Sequence, residues 1–320
     1  MIARYAVPFF LLMAVVVAPL VLFFLSRYLC PRKWGKKVGI TLSALVILFA
    51  LYGMFVGYQQ LEVKHIDFVS EDLPEQFDGY RIVQFSDAHI GTMTGSRKWL
   101  LERAVDSMLA LHPDMIVFTG DLQNVYSEDI VEHLPQLSRL KAPDGVYSVL
   151  GNHDYPIYQP DDSLSKEADL EKTKGLERQA GWTLLLNEHR IIRRDSDSIV
   201  IAGMENWGTV ERMPRLGDVR KTLEGVDSSS FVVMLQHDPT AWRELILPQC
   251  NAQLTLSGHT HGGQANVFGF SPASFGYKEW EGWVYNGTRA MFISTGLGAL
   301  IPFRLGLPGE IVVITLHKKK

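Results

Sequence analysis

The chain has 320 residues, 47% of them hydrophobic and 21% charged, and its charges are unevenly distributed. Of the 31 Lys and Arg residues, six precede Glu62 with no acidic residue among them. The remainder therefore carries 25 basic against 35 acidic residues, a formal charge of −10. This pattern excludes a disordered chain, an ordinary cytosolic protein and a strongly basic nucleic-acid-binding protein, so no nucleic-acid partner is expected.

Two uncharged apolar runs, residues 6–25 and 38–58, open the chain. Each is long enough to cross a hydrocarbon core of roughly 30 Å as a helix. Because the bilayer interior cannot satisfy bare backbone groups, both runs are predicted to be transmembrane helices, the first with a kink at Pro19. A cleaved signal peptide is the alternative for the first run, but the run is longer than a usual signal core and lacks a small-residue cleavage site.

The short loop between the two runs is strongly basic, whereas the other side of the first run carries only Arg4. Its positive charges are Arg27, Arg32, Lys33, Lys36 and Lys37. Positive charge favours the cytoplasmic side, so everything after Tyr58 is expected outside the cytoplasm. The chain is thus predicted to be a multi-pass protein of the inner membrane with the lipid bilayer as a partner. The inverted hairpin is the alternative.

Beyond a predicted membrane anchor at residues 1–60, short apolar runs alternate with amphipathic stretches. Strands are predicted at 81–86, 115–119, 146–150, 199–203, 231–236, 254–257, 291–294 and 310–316. Helices are predicted at 97–111, 128–140, 165–179 and 240–247. This alternation predicts an α/β domain over residues 61–320, which is large enough for one large core or two packed sheets.

Polar motifs follow five of the predicted strands. They are Asp87-Ala88-His89, Gly120-Asp121, Gly151-Asn152-His153-Asp154, His237-Asp238 and Gly258-His259-Thr260-His261. Ligands collect beyond the carboxyl ends of strands in α/β sheets, so the five motifs are expected at one rim. Each motif alone is a weak signal, because Asn and Asp often only stabilise turns. Their joint arrangement predicts a cluster of oxygen and imidazole metal ligands.

In this order the motifs resemble the signature of the calcineurin-like metallophosphoesterase family, over residues 78–317. The two preceding apolar runs resemble its membrane-associated bacterial branch. The resemblance implies an α/β fold of two packed mixed β-sheets flanked by helices, and a centre of two divalent ions drawn from Mn, Fe and Zn. It further implies one ion held by Asp87, His89 and His261. The other would be held by Asn152, His237 and His259, with Asp121 bridging both.

Such a centre would clamp a phosphoryl oxygen and activate a bridging water as hydroxide, which attacks phosphorus in line. No protein nucleophile is needed, but a departing alkoxide needs a proton. His153 is predicted to supply it, as general acid or as a cationic donor. Asp154 is expected to orient neighbouring groups or to stabilise a turn, and Arg304 to contact a phosphate or pair with an acidic surface residue. The role of Asn124 is left open.

The sequence thus predicts a membrane-anchored, metal-dependent phosphohydrolase that cleaves a phosphodiester or pyrophosphate bond. Tethering favours a lipid-linked phosphorylated substrate, because it raises local concentration. The resemblance to the membrane-associated branch implies UDP-diacylglucosamine as one such substrate, since related members cleave its pyrophosphate. That substrate is cytoplasmic, which conflicts with the orientation expected from the basic loop. A phosphomonoesterase or nucleotide phosphatase is one alternative. A non-catalytic, membrane-tethered binding scaffold of the same fold is another, although such a protein is expected to have lost metal ligands.

Overall fold

The computed structural model describes Phe9, residues 12–160 and residues 166–319, without the side chains of Arg32 and Ser96. Most of the start of the first apolar run (residues 6–8, 10 and 11) and the predicted helix start at Ser165 lie outside the described residues. The α-helices are Ala18–Leu29, Arg32–Phe55, Lys98–Ala110, Glu128–Leu137, Lys166–Gln179, Val219–Thr222 and Leu247–Gln249, and π-helices occur at Leu12–Val17 and Trp242–Ile246.

Twelve strands are found in the described part of the chain. They are β1 Leu61–Ser70, β2 Arg81–Phe85, β3 Met115–Phe118, β4 Val146–Ser148, β5 Thr183–Leu184, β6 Glu188–Arg194, β7 Asp197–Gly203, β8 Phe231–Leu235, β9 Leu254–Ser257, β10 Gly282–Asn286, β11 Arg289–Ile293 and β12 Gly309–Lys318. They form two six-stranded mixed sheets, in the orders β1-β12-β2-β3-β4-β5 and β10-β11-β9-β8-β7-β6.

The two sheets pack face to face through apolar side chains such as Phe68, Val117, Leu235 and Phe292, all buried in one cluster. A second cluster packs the outer face of the first sheet against the helix Lys98–Ala110 and its neighbours. A third covers the outer face of the second sheet around Trp242, which is fully buried. The predicted architecture of two packed mixed sheets flanked by helices is therefore confirmed.

Four strands, β1, β5, β6 and β10, lie in segments for which no strand is predicted from the sequence. β1 illustrates the reason. Its side chains alternate between half-buried and exposed, and its register, with Leu61 opposite Gly309, is set by a partner strand at the far end of the chain.

The helix predicted at 240–247 also differs from the observed structure. Pro248 follows it and has no N–H for the next helical hydrogen bond, and the preceding turn adopts π geometry at Trp242–Ile246.

The two apolar helices form a hairpin with close backbone contacts. The Ser43 hydroxyl donates to the Pro19 carbonyl at 2.7 Å, and a Cβ added at Gly39 would lie 3.0 Å from the Phe23 carbonyl oxygen. Small residues at such contacts are typical of helices paired in a membrane. The spans Leu12–Leu29 and Lys33–Gln59 are long and apolar enough to cross a bilayer. A π-helix ends at Val17, directly before the predicted kink at Pro19.

The end of the second helix contacts the β-sheet domain directly. The Arg304 N–H donates to the Gly53 carbonyl at 3.0 Å, and the Phe303 ring lies where a Cβ on Gly53 would project. Slightly further along the chain, the Tyr58 hydroxyl is hydrogen-bonded to Thr92 Oγ1 at 2.7 Å. The Thr92 hydroxyl in turn donates to the His89 carbonyl at 2.9 Å. The hairpin is therefore joined to the loop that follows β2.

Candidate metal centre

All seven predicted ligands lie together at one rim, where strands of both sheets end. Asp87 and His89 follow β2, Asp121 follows β3 and Asn152 follows β4, and these three strands are parallel neighbours. From the second sheet, His237 follows β8, while His259 and His261 follow β9. A hydrogen bond from Gly258 N to the His237 carbonyl, at 3.0 Å, ties these last two loops together.

The backbone at this rim is unusual, since five of the seven predicted ligands adopt positive φ angles. The values are 49° for Asp87, 42° for His89, 63° for Asp121, 75° for His259 and 52° for His261. Such conformations cost non-glycine residues of order 1–3 kcal/mol each and persist where the surrounding fold imposes them, often at functional sites. The fold thus holds these five side chains in directions that an unconstrained chain would avoid.

One group of donors comprises Asp87, His89, Asp121 and His261, whose ligand atoms all lie within 4.8 Å of one another. The two imidazole Nε2 atoms of His89 and His261 face each other at 3.0 Å. His261 Nε2 also lies 3.4 Å from Asp87 Oδ1, and His89 Nε2 lies 3.6 Å from Asp121 Oδ2. All four residues are buried, so the donors converge on a point shielded from water.

A second group comprises Asp121, His237 and His259 within the same 4.8 Å limit. His237 Nε2 lies 3.3 Å from Asp121 Oδ2 and 3.1 Å from Asn152 Oδ1, so the Asn152 amide oxygen completes the group. The Nδ1–H of His237 donates to the Thr119 carbonyl at 2.7 Å, which directs Nε2 toward the centre. Asp121 belongs to both groups, which places its carboxylate between them.

The electrostatics of the cluster favour a bound cation. Burial raises the pKa of Asp87 to about 6 and lowers the pKa of His89 to about 3. Burial also opposes charge on Asp121 and His237. Their mutual attraction outweighs it, lowering the pKa of Asp121 and raising that of His237 to about 10. The His237 imidazolium is the positive partner of the buried Asp121 carboxylate, and a metal ion would take over that role when the ring loses its proton. Imidazole and carboxylate donors together suit divalent Mn, Fe or Zn.

His153 lies beside the two groups without belonging to either. Its backbone N–H donates to Asp121 Oδ1 at 2.7 Å, and its ring Nδ1–H donates to the Asn124 carbonyl at 2.6 Å. With Nδ1 engaged, Nε2 is the nitrogen left to exchange a proton with a substrate. The ring also stacks on Tyr158, with centroids 4.2 Å apart. The main-chain oxygen of Asn124 therefore fixes the His153 ring.

Asp154 holds two site loops in place. Its carboxylate accepts hydrogen bonds from the backbone N–H groups of Asp121 and Gly151, both at 2.8 Å, and of Leu122 and Gln123, at 2.9 and 3.3 Å. Burial raises the pKa of Asp154 to about 7. The side chain is therefore more than a local turn former, because it connects the loop after β3 to the loop after β4.

Neither role expected for Arg304 is correct. Its side chain is 1% exposed and donates only to main-chain carbonyls among the described residues. The acceptors are the carbonyls of Thr295, Gly296, Gly298, Leu307 and Pro308. A buried guanidinium needs all its donors satisfied, and this curved segment supplies the acceptors. Arg304 thereby fixes the segment that packs on Asp87, since a Cβ at Gly296 would lie 2.7 Å from Asp87 Cβ.

Three further residues reach the rim without having been identified from the sequence. The Tyr277 hydroxyl lies 2.6 Å from His259 Nε2, which leaves His259 Nδ1 as the nitrogen facing His237, at 3.2 Å. The Tyr158 hydroxyl accepts from Asn152 Nδ2 at 2.8 Å, and the Arg212 guanidinium lies 5.4 Å from the Tyr158 ring centroid. None of the three stands in a motif, so no signal in the sequence could have found them.

Comparison with known proteins agrees with this geometry. The family model described as calcineurin-like phosphoesterase matches residues 80–263. A zebrafish (Danio rerio) protein named "Transmembrane protein with metallophosphoesterase domain" is 30% identical, over 93% of this chain and 71% of its own length. The Bacillus subtilis (strain 168) "Uncharacterized metallophosphoesterase YkuE" is also 30% identical, over 83% of this chain and 88% of its own.

Among solved structures, the phosphopantetheinyl hydrolase of Mycobacterium tuberculosis matches with a TM-score of 0.43 and 13% identity. The match covers 70% of this chain and 91% of that one. The family match spans more than half of the chain, and it covers the segment that carries all seven predicted ligands. The chain belongs to the calcineurin-like phosphoesterase family. The Asp and His cluster at its rim is suited to divalent metal ions.

Proposed function

We propose that the protein is a membrane-anchored phosphoesterase that uses two divalent metal ions to hydrolyse a phosphodiester or pyrophosphate bond. The observation that carries the proposal is the pair of donor groups that share Asp121. A single carboxylate between two sets of imidazoles is an arrangement that can hold two adjacent cations. The complete ligand set also argues against a non-catalytic scaffold, which has no need of seven converging donors.

Asp87, His89 and His261 would hold one ion, Asn152, His237 and His259 the other, and Asp121 both. When bound, two such ions supply an activated water and neutralise charge that develops on the phosphoryl oxygens. The protein's own contribution is to fix these donors through buried hydrogen bonds such as His237 to Thr119 and Asp154 to the Asp121 backbone. His153, oriented by the Asn124 carbonyl, would donate a proton from Nε2 to the leaving oxygen.

Metal removal tests this proposal on the full-length chain in detergent. Protein stripped with a chelator is expected to lose hydrolysis of bis-p-nitrophenyl phosphate and to regain it with Mn or Zn. Elemental analysis of the reactivated protein should then give two ions per chain. A metal-independent activity would contradict the mechanism, and a content of one ion would contradict its two-ion form. Parallel assays with p-nitrophenyl phosphate distinguish a diesterase from the alternative phosphomonoesterase.

We further propose that the hairpin crosses the membrane twice and leaves the metal centre outside the cytoplasm. The support is the positive charge at the connection of the hairpin, where Arg27 lies in the last turn of one helix and Lys33 in the first turn of the next. Lipid-linked phosphodiesters or pyrophosphates are then attractive substrates, because the helix end and the site loop after β2 are hydrogen-bonded through Tyr58 and Thr92.

Cysteine labelling in intact cells tests the orientation. Cys30 and Cys250 are first replaced by Ser, and a single cysteine is introduced either at Tyr28, in the last turn of the helix Ala18–Leu29, or at Ser196, on the domain surface. A membrane-impermeant maleimide is expected to label Ser196→Cys before lysis and Tyr28→Cys only after lysis. The reverse pattern would establish the inverted hairpin and restore cytoplasmic substrates as candidates.

A further inference from the structure

The loop of residues 262–276 begins and ends at the metal centre. It starts directly after His261, a member of the first donor group, and it is followed by Tyr277, whose hydroxyl lies 2.6 Å from His259 Nε2. Its fifteen residues include no Asp, Glu, Lys or Arg. The loop is therefore uncharged, and both of its ends adjoin the site.

The tip of this loop is apolar, exposed and strained. Val267 and Phe270 exchange two backbone hydrogen bonds, of 3.0 and 3.1 Å, around Phe268 and Gly269, whose φ angles are 53° and 84°. Phe268 is 105% exposed, and Phe270 and Phe275, with ring centroids 5.6 Å apart, are 57% and 82% exposed. A bulky residue at positive φ destabilises the folded chain, and exposing its apolar ring to water provides no compensating free energy. Within the described part of the chain, these three rings remain largely uncovered.

The base of the loop adjoins the end of the membrane hairpin. Asn266 N donates to the Leu305 carbonyl at 2.8 Å, and Gln264 Nε2 donates to the Phe303 carbonyl at 2.8 Å. The ring of that same Phe303 lies against Gly53, within the last turn of the helix Arg32–Phe55. One short segment thus contacts both the end of the membrane-crossing helix and the base of the aromatic loop.

We propose that the tip of loop 262–276 inserts into the membrane interface, with Phe268, Phe270 and Phe275 buried at the boundary between headgroups and hydrocarbon. Aromatic side chains are favoured at that depth, and an uncharged loop can enter without desolvating an ion. This inference rests on the proposed function and names its substrate class. The substrate is an amphiphile whose phosphoester reaches the metal centre from the bilayer along the inserted loop.

Depth-dependent quenching tests the insertion independently of activity. The full chain, with Cys30 and Cys250 replaced by Ser, receives one cysteine at Phe268 carrying an environment-sensitive fluorophore. It is reconstituted in vesicles of phosphatidylethanolamine and phosphatidylglycerol that contain a lipid with a nitroxide near the headgroup. A blue-shifted emission and strong quenching are expected, as for the same label at Phe55, at the helix end. The same label at Ile191, exposed on β6, is the control and should remain unquenched. A Phe268 label that behaves like the Ile191 label would overturn the proposal.

A kinetic comparison tests the substrate class. The double variant Phe268→Ser/Phe275→Ser is expected to cleave a bilayer-embedded lipid phosphodiester at least about tenfold more slowly than the wild type. Its hydrolysis of soluble bis-p-nitrophenyl phosphate should be unchanged, because neither residue belongs to the metal centre. Equal rates of wild type and variant on the lipid would refute the substrate class. A wild type that cleaves neither compound would refute the proposed function, while the quenching result still decides the insertion.

Discussion

Replacing Asp121 with Asn is expected to abolish two-metal binding and to lower kcat by at least about 10³-fold, the equivalent of several kcal/mol of lost transition-state stabilisation. The amide keeps the shape of the side chain. It also keeps an oxygen that can accept from the His153 backbone N–H, which in the wild type donates to Asp121 Oδ1 at 2.7 Å. It removes the negative charge shared by the two donor groups. Metal content by elemental analysis and hydrolysis of bis-p-nitrophenyl phosphate measure the two effects.

A matched control separates this loss from general damage to the fold. Asp144→Asn makes the same carboxylate-to-amide change at a residue that accepts the Tyr80 hydroxyl at 2.7 Å and is not part of either donor group. It should keep wild-type metal content and activity. Added Mn should raise the Tm of the wild type and of Asp144→Asn, because a ligand that binds only the native state stabilises it. It should raise the Tm of Asp121→Asn much less, because both donor groups have lost their shared carboxylate. Full activity in Asp121→Asn would refute the shared-carboxylate mechanism.

The second large effect is expected for His153→Gln. A general acid contributes typically 10²–10⁴-fold, and the loss should appear with substrates whose leaving group is an alkoxide. It should be small with p-nitrophenyl esters, because the acidic phenol departs without needing a proton. Metal content should not change, since His153 lies outside both donor groups and only its backbone N–H contacts Asp121. The measurement is kcat for both kinds of leaving group, with metal content determined on the same samples.

The pattern across leaving groups is what identifies the role. An equal loss for alkyl and p-nitrophenyl esters would indicate that the ring stabilises charge in the transition state rather than donating a proton. A loss of bound metal would indicate that it supports the ligands through the Tyr158 stack, in which the two ring centroids are 4.2 Å apart. Tyr158→Phe is a useful companion, because it keeps the stack and removes the hydroxyl that accepts from Asn152.

The part of the fold that could be predicted consists of segments whose structure depends on residues close to them in the sequence. The buried strands β2, β3, β8 and β9 are short continuous apolar runs, and each was predicted to within one residue at both ends. β1 and β6 were missed because their residues are only partly covered, and pairing with distant strands determines their conformation. Arg304 was misjudged for the same reason. A charged residue is usually exposed, and only a segment curved around it makes its burial favourable.

Motif order and long uncharged runs are properties of the chain alone, so the identity of the donors and the apolar helices that precede them could be predicted from the sequence. How the donors combine depends on the fold. His89 and His261 are 172 positions apart in the chain, yet their Nε2 atoms lie 3.0 Å apart. Such contacts arise only when two sheets pack with their strand ends at one rim. The same packing places Asp121 between the two donor groups, Tyr277 against His259, and the aromatic loop beside the helical hairpin.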